Sequence, residues 1–172
     1  MKLVSIPANP VPDDVVTGSI ETPDGVTLRF ARWAPPPGRK GTVVILQGRA
    51  EYIEKYFETV RDLRARGFAA ATFDWRGQGL SDHALSDRRK GHVRSFRQYA
   101  IDLEAFMQQV VLPDLLADLV RSMPGATERT EIEAVDITLE VPAGALRRIL
   151  ANLLENALRY GGGQLVTLRA EA

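Results

Sequence analysis

Ser81, His83 and His92 carry side chains with the right chemistry for nucleophilic catalysis, a hydroxyl and two imidazoles. A serine hydroxyl becomes an effective nucleophile when a general base is held within hydrogen-bonding reach of it. Ser81 follows a glycine loop, but nothing in the sequence supplies it with a positioned base. The chain has no cysteine, which excludes thiolate metal sites, and its two histidines leave little for a histidine-based metal site.

A second group of polar residues lies in the C-terminal third. Residues 142–160 predict a helix with one apolar face, ended by the glycines at 161–163. Asparagine is less favourable than alanine in a helix interior, so two asparagines on the polar face suggest a function. A solvated face held by i,i+4 pairs is the alternative. The polar face comprises Arg148, Asn152, Glu155, Asn156 and Arg159.

The first group of residues must be positioned by a central unit. Residues 42–46 and 68–73 are short apolar runs typical of buried strands, and residues 52–66 carry an apolar stripe at helical spacing. Gly67 follows that stripe, as a C-terminal cap should. The pattern predicts a βαβ unit with two parallel neighbouring strands and a right-handed crossover.

The flanking segments are less regular. Residues 1–16 contain three prolines and predict an extended lead-in. Residues 18–33 alternate about a Pro-Asp-Gly turn and predict a hairpin of two edge strands. Residues 34–41 predict a rigid loop. The basic triplet at residues 88–90 predicts a solvated loop.

A second helix is predicted over residues 95–111 and is expected to stop at Pro113. Ser95 and Gln98 have the spacing of a capping box, which satisfies the first free N–H groups of a helix. Its predicted buried stripe is formed by Phe96, Tyr99, Ala100, Leu103, Phe106, Met107 and Val110.

Three motifs in order carry a family resemblance: residues 48–51 (Gly-Arg-Ala-Glu), residues 74–81 (Asp-Trp-Arg-Gly-Gln-Gly-Leu-Ser) and residues 91–93 (Gly-His-Val). Together they resemble the lysophospholipase and monoacylglycerol-lipase branch of the α/β-hydrolases over about residues 17–113. The resemblance implies the first four strands and two helices of that fold, acyl-transfer chemistry and a lipid or ester substrate. It implies an oxyanion-hole N–H at Arg49, with Gly48 allowing close approach; Gly48 as a simple turn residue is the alternative.

The chain also departs from that family. The nucleophile elbow, Gly-x-Ser-x-Gly, does not occur in it, and the family order is serine, acid, histidine. Both histidines precede the point where the serine is expected. We therefore expect a truncated, catalytically incompetent α/β-hydrolase-like protein.

After Pro113 the pattern changes. Residues 115–123 predict a short helix and residues 126–133 a polar linker. Residues 135–141 and 164–170 alternate strictly and predict two strands on either side of the helix at 142–160. One of these strands could extend the sheet that begins at residues 42–46.

The string at residues 146–161 resembles the N-box helix of histidine-kinase-type ATP-binding domains, with a likeness covering about residues 115–170. It implies that Asn156 is a magnesium ligand and that Asn152 and Arg159 lie near the phosphates, with Tyr160 against the nucleotide. An amide oxygen suits magnesium, a hard cation. The glycine-rich boxes and the phospho-accepting histidine helix are missing, so we expect no kinase activity and leave weak Mg-ATP binding open.

The composition is that of an ordinary globular protein, with 45% hydrophobic and 26% charged residues among 172. No apolar run is long enough to span a membrane, and the lack of cysteine and of a secretion signal predicts a cytoplasmic protein. The net charges of the two parts of the chain, +3 for residues 1–113 and −3 for residues 114–172, do not suggest a nucleic-acid-binding protein. The domains are predicted at residues 1–16, 17–113 and 114–172.

The fold class predicted is α/β, a partial α/β-hydrolase-like sheet followed by an α+β segment. Three functional hypotheses follow: an inactive hydrolase-like protein, a nucleotide-binding fragment, and a recombined or engineered chain with no native activity. The oligomeric state is left open.

Overall fold

A computed structural model describes residues 2–34, 40–121, 130–134 and 166–170. The chain divides into two compact units, Met1–Phe106 and Met107–Ala172.

The first unit contains a four-stranded sheet with strand order β1-β2-β4-β3. Its strands are β1 (Val15–Glu21), β2 (Thr27–Trp33), β3 (Gly41–Ile45) and β4 (Phe68–Phe73). Strand β3 pairs parallel with β4, whereas β2 pairs antiparallel with both β1 and β4. A 3₁₀ turn (Ile53–Tyr56) and helix α1 (Phe57–Ala65) connect β3 to β4. The predicted βαβ unit is therefore confirmed.

The predicted hairpin of β1 and β2 is also confirmed, but β2 is not an edge strand. It lies between β1 and β4, and its Arg29 is 1% exposed. The position is buried because two carboxylates satisfy the guanidinium.

The main core lies between the sheet and α1. Trp33 packs edge-on against Phe57, with the ring centroids 6.2 Å apart. Ile53 and Val60 are fully buried in the same cluster. Full burial of such side chains stabilises a fold by roughly 1.5–3 kcal/mol each. Leu3 joins this cluster, which anchors the N-terminal segment on the sheet.

Helix α2 (Arg97–Phe106) corrects the predicted buried stripe. Phe106 is fully buried as predicted, but Phe96 is 86% exposed and Ala100 is exposed. The helix turns Asp102 inward to pair with Arg76, and that ion pair sets a rotation that apolar spacing does not reveal. The capping prediction also needs correction, because the Gln98 side chain accepts the N–H of Arg94.

The second unit begins with a π-helical segment (Met107–Val111) and helix α3 (Leu112–Arg121). Pro113 lies in the first turn of α3, so the prediction that it ends a helix was wrong. The π-helical segment ends directly before α3, so Pro113 lies where the regular i to i−4 hydrogen bonding of an α-helix is already interrupted.

Strands β5 (Thr130–Ala134) and β6 (Val166–Ala170) form a separate parallel pair. Strand β6 confirms the strand predicted over 164–170, but it pairs with β5 and does not extend the first sheet. Strand β5 occupies part of the predicted polar linker, because backbone pairing overrode the weak local strand signal. The predicted strand at 135–141 and helix at 142–160 lie outside the described residues.

Candidate active-site loop

Two loops meet at the carboxyl ends of β3 and β4. Ligands of open α/β sheets bind beyond the carboxyl ends of the strands, where the connecting loops emerge. The loop after β3, here called the β3 loop, comprises residues 46–52 and carries the predicted donor. The β4 loop comprises residues 74–82 and carries the glycine motif.

The carboxylate of Glu51 organises the β3 loop from within. It accepts a hydrogen bond from the backbone N–H of Gly48 at 2.9 Å and one from the hydroxyl of Tyr56. Lys55 Nζ lies 3.0 Å from its other oxygen. The hydrogen bond from Tyr56, supported by those from Lys55 and Gly48, lowers the pKa of Glu51 to about 2. The Gly48 N–H is therefore already engaged by an internal anion.

Arg49 presents the next backbone N–H of this loop. The residue is exposed, and no described residue accepts a hydrogen bond from its N–H. Ala50, which follows it, has φ of 61°. A left-handed backbone costs a non-glycine residue about 1 kcal/mol or more, and such strain concentrates at functional sites. The loop can therefore donate one unengaged N–H to an incoming carbonyl oxygen.

The β4 loop fixes the position of the β3 loop. Trp75 Nε1 donates to the carbonyl oxygen of Gln47 at 2.8 Å, and the side-chain oxygen of Gln78 accepts the Glu51 N–H at 3.2 Å. The Ile53 N–H donates to Asp74 at 2.9 Å. Gly79 has φ of 52°, and a Cβ there would lie 2.1 Å from the Asp74 carboxylate. Only glycine allows this packing.

Arg29 connects Asp74 of the β4 loop to Glu54 of the 3₁₀ turn that follows the β3 loop. It donates through Nε to Asp74 at 2.7 Å and through its two terminal nitrogens to Glu54 at 2.8 and 2.9 Å. Burial of the Glu54 carboxyl opposes its ionisation, but the hydrogen bonds from Arg29 and from backbone N–H groups, together with the charge of Arg29, lower the pKa of Glu54. The base of the site is thus a rigid ionic cluster.

Ser81 has a structural role in this arrangement. Its side-chain oxygen donates to the Asp74 carbonyl at 2.6 Å and accepts the Arg29 N–H at 2.9 Å, and the residue is 1% exposed. His83 Nδ1 lies 2.8 Å from the carbonyl oxygen of Ser81, so this ring nitrogen faces the backbone of Ser81. The absence of a positioned base for Ser81 stays a prediction.

His83 and His92 both line a cavity of about 350 Å³ beside the β4 loop. Arg76 borders this cavity and bridges Asp24, at 2.6 and 2.9 Å, to Asp102, at 2.8 Å from Nε. No cluster of histidine and carboxylate groups within the described part of the chain has the composition to hold a metal ion.

The structure locates some predicted site residues and not others. Gly48 and Arg49 lie in the loop that follows β3. The predicted nucleotide-binding residues, Asn152, Asn156, Arg159 and Tyr160, and the magnesium ligand Asn156 among them, lie outside the described residues. Sequence reasoning gave no role to Glu51, Asp74 or Gln78. These three residues lie beside the glycines of the two motifs, and that position is the sequence feature that could have identified them.

Known proteins share this part of the chain. The family model described as serine aminopeptidase, S33, matches residues 37–120, just under half of the chain. Lysophospholipase L2 of Escherichia coli K12 is 42% identical over 90 residues, covering 52% of this chain and 26% of that protein. Probable lysophospholipase L2 of Haemophilus influenzae is 32% identical over 76 residues, covering 44% and 24%. A solved monoglyceride lipase variant from Saccharomyces cerevisiae is 27% identical, with a TM-score of 0.45 and coverage of 55% and 31%.

These matches support an α/β-hydrolase of the lysophospholipase/esterase type for the N-terminal part of the chain. The chain spans about a quarter of the length of the curated relatives it matches. The matches give no support to the histidine-kinase resemblance of residues 115–170, and Mg-ATP binding there stays a prediction. No helix among the described residues has the length and apolar character needed to cross a membrane.

Proposed function

We propose that this chain supplies the oxyanion-binding loop of a lysophospholipase/esterase-type α/β-hydrolase that acts on esters of single-chain lipids. The observation that carries the proposal is the state of the β3 loop. Glu51 engages the Gly48 N–H, while the exposed Arg49 N–H beside it has no acceptor among the described residues. The names of the curated relatives suggest the lipid substrate.

The chemistry of this loop is stabilisation of developing negative charge. In acyl transfer the carbonyl oxygen becomes an oxyanion, and an N–H held in place beforehand donates to it without a reorganisation cost. Trp75 and Gln78 provide that fixed position through their hydrogen bonds to the β3 loop, and Asp74 accepts the N–H of Ile53 directly after it.

A titration with hexylphosphonate, a stable tetrahedral anion, tests the donor directly. We expect the backbone amide signal of Arg49 to shift in the NMR spectrum, with a smaller shift at Gly48. Arg49→Ala retains the N–H and should preserve binding, whereas Arg49→Pro removes the N–H and should abolish it. Equal binding by both folded variants, or an unmoved Arg49 signal in the native chain, would refute the proposed donor.

We also propose that the 172-residue chain does not turn over esters by itself, because the Ser81 hydroxyl is engaged on both sides by backbone groups. We expect p-nitrophenyl butyrate hydrolysis at the background rate, unchanged in Ser81→Ala, and no labelling by a fluorophosphonate. Saturable hydrolysis blocked by that reagent would show that the chain has a working nucleophile.

A further inference from the structure

Positive charge is concentrated between α2 and the β4 loop. Residues 84–97 contain five lysines and arginines and one acidic residue, Asp87, a net charge of +4 in a chain whose net charge is zero. Asp87 is itself neutralised, since Arg89 Nε lies 3.0 Å and Lys90 Nζ 3.9 Å from its carboxylate. The segment therefore presents a local positive field that the total charge of the protein hides.

Two arginines of this segment carry unpaired charge. Arg94 and Arg97 are exposed, and within the described part of the chain neither guanidinium forms an ion pair. Arg88 instead donates to the carbonyl oxygens of Gly79 and Ser81 at 3.3 and 3.4 Å. These contacts attach the basic segment to the β4 loop.

Phe96 lies between the two unpaired arginines in the sequence. It is 86% exposed, the highest value among the large hydrophobic residues of the described structure. Its ring lies 6.2 Å from that of Tyr99, and Tyr99 lies 5.2 Å from Trp75. Trp75 in turn donates to the β3 loop through the Gln47 carbonyl. A row of aromatic side chains thus leads from the exposed Phe96 to the loop that carries Arg49.

We propose that this basic aromatic surface docks the protein on an anionic lipid surface. It is formed by Arg88, Arg89, Lys90, Arg94, Phe96 and Arg97. Basic residues next to an anionic membrane each contribute about 1 kcal/mol of attraction. Aromatic side chains insert at the boundary between headgroups and acyl chains. The purpose of this docking rests on the proposed function. Docking through the basic aromatic surface brings the β3 loop to the lipid layer that holds single-chain lipid esters.

Co-sedimentation of the full chain with vesicles tests the proposal. We expect binding to phosphatidylcholine vesicles that contain phosphatidylglycerol, little binding to phosphatidylcholine alone, and weakening at high salt as surface charges are screened. Arg94→Glu combined with Arg97→Glu should lower the partition coefficient at least about tenfold. Phe96→Ala should lower it several-fold. Both changes lie on exposed side chains, and circular dichroism checks that each variant is folded.

Matched controls lie away from this surface. Lys2→Glu with Arg66→Glu makes the same change in net charge at exposed positions, and Ile6→Ala removes a hydrophobic side chain that is 53% exposed. Both controls should bind vesicles like the native chain. Equal losses in the test and control variants, or no vesicle binding by the native chain, would overturn the proposal.

Two further outcomes separate the alternatives. Retention on heparin without vesicle binding would assign the charge to a non-lipid polyanion and overturn lipid docking. The vesicle assay needs neither an ester nor the Arg49 N–H. Vesicle binding together with a failed phosphonate titration would therefore support docking while refuting the proposed function.

Discussion

Two buried arginines perform the same ionic task in different surroundings. Arg29 joins Asp74 and Glu54, and Arg76 joins Asp102 and Asp24. In both clusters Nε and one terminal nitrogen face one aspartate, while both terminal nitrogens face the other carboxylate. Each guanidinium thus holds two anions through its planar fork, an arrangement that lysine cannot reproduce.

The difference lies in their contact with water. The side chains of Glu54 and Asp74 are 10% and 0% exposed, whereas that of Asp24 is 35% exposed at the edge of the cavity. Burial raises the pKa of Asp74 and of Asp102, although hydrogen bonds oppose this effect. The hydrogen bond from Arg76 lowers the pKa of Asp24. The Arg29 cluster is therefore an enclosed support for the two loops, and the Arg76 cluster is partly open.

The largest effect is expected from Arg29→Met. This change leaves two carboxylates buried without a counter-ion, and breaking a buried ion pair in this way costs about 3–5 kcal/mol. Urea unfolding should show that loss in the free energy of unfolding, or circular dichroism should show an unfolded chain. Adding Glu54→Gln and Asp74→Asn should restore part of the stability. A loss similar to that of the exposed control Arg66→Met would contradict the assigned role.

Arg76→Met should lower the free energy of unfolding by about 2–3 kcal/mol, less than Arg29→Met does. Asp24 becomes hydrated in this variant, whereas Asp102 stays buried without a counter-ion. The same urea experiment measures it. The comparison of the two clusters fails if this variant is less stable than Arg29→Met. In the folded variant, amide exchange should accelerate around the β1–β2 turn and α2 more than in the β3 loop.

Asp24→Asn should have the smallest effect and change the acid dependence of stability. Because the folded pKa of Asp24 lies below its ordinary value of 3.8, its stabilisation is complete above that value and disappears as the pH falls through the folded pKa. We expect a loss of about 1 kcal/mol at pH 5, discounted for its exposure. The native and variant curves should converge as the pH is lowered. If the stability curves of the native chain and the variant stay parallel as the pH falls, Asp24 does not cause the acid dependence of stability.

The strongly patterned parts of the fold were predicted well. The apolar runs at 42–46 and 68–73 and the glycine after the helix predicted β3, β4 and their parallel pairing. The rotation of α2 was not predicted, because the buried Asp102 breaks the apolar stripe on which helical periodicity depends. The interior position of β2 was missed for the same reason, since Arg29 has a polar side chain at a buried position.

The position of the β3 loop was predicted, and its role as an oxyanion-binding site stays a proposal. The motif at residues 48–51 located Gly48 and Arg49 in the loop after β3, but the roles of Glu51 and Gln78 required the tertiary structure. Hydrogen bonds such as that from the Glu51 N–H to Gln78 join residues far apart in sequence, and no local pattern encodes them.

The sequence by itself determined the local elements: the βαβ unit, the hairpin, the glycine positions of the β4 loop and the resemblance of its motifs to a hydrolase. Hydrophobic periodicity and backbone preferences act over a few residues, so these features can be read from short windows. Tertiary structure alone decided which charges are buried, which N–H of the β3 loop remains unengaged, and that Phe96 faces outward. Those properties depend on groups brought together from distant segments, where burial and hydrogen bonding act on side chains that the sequence keeps apart.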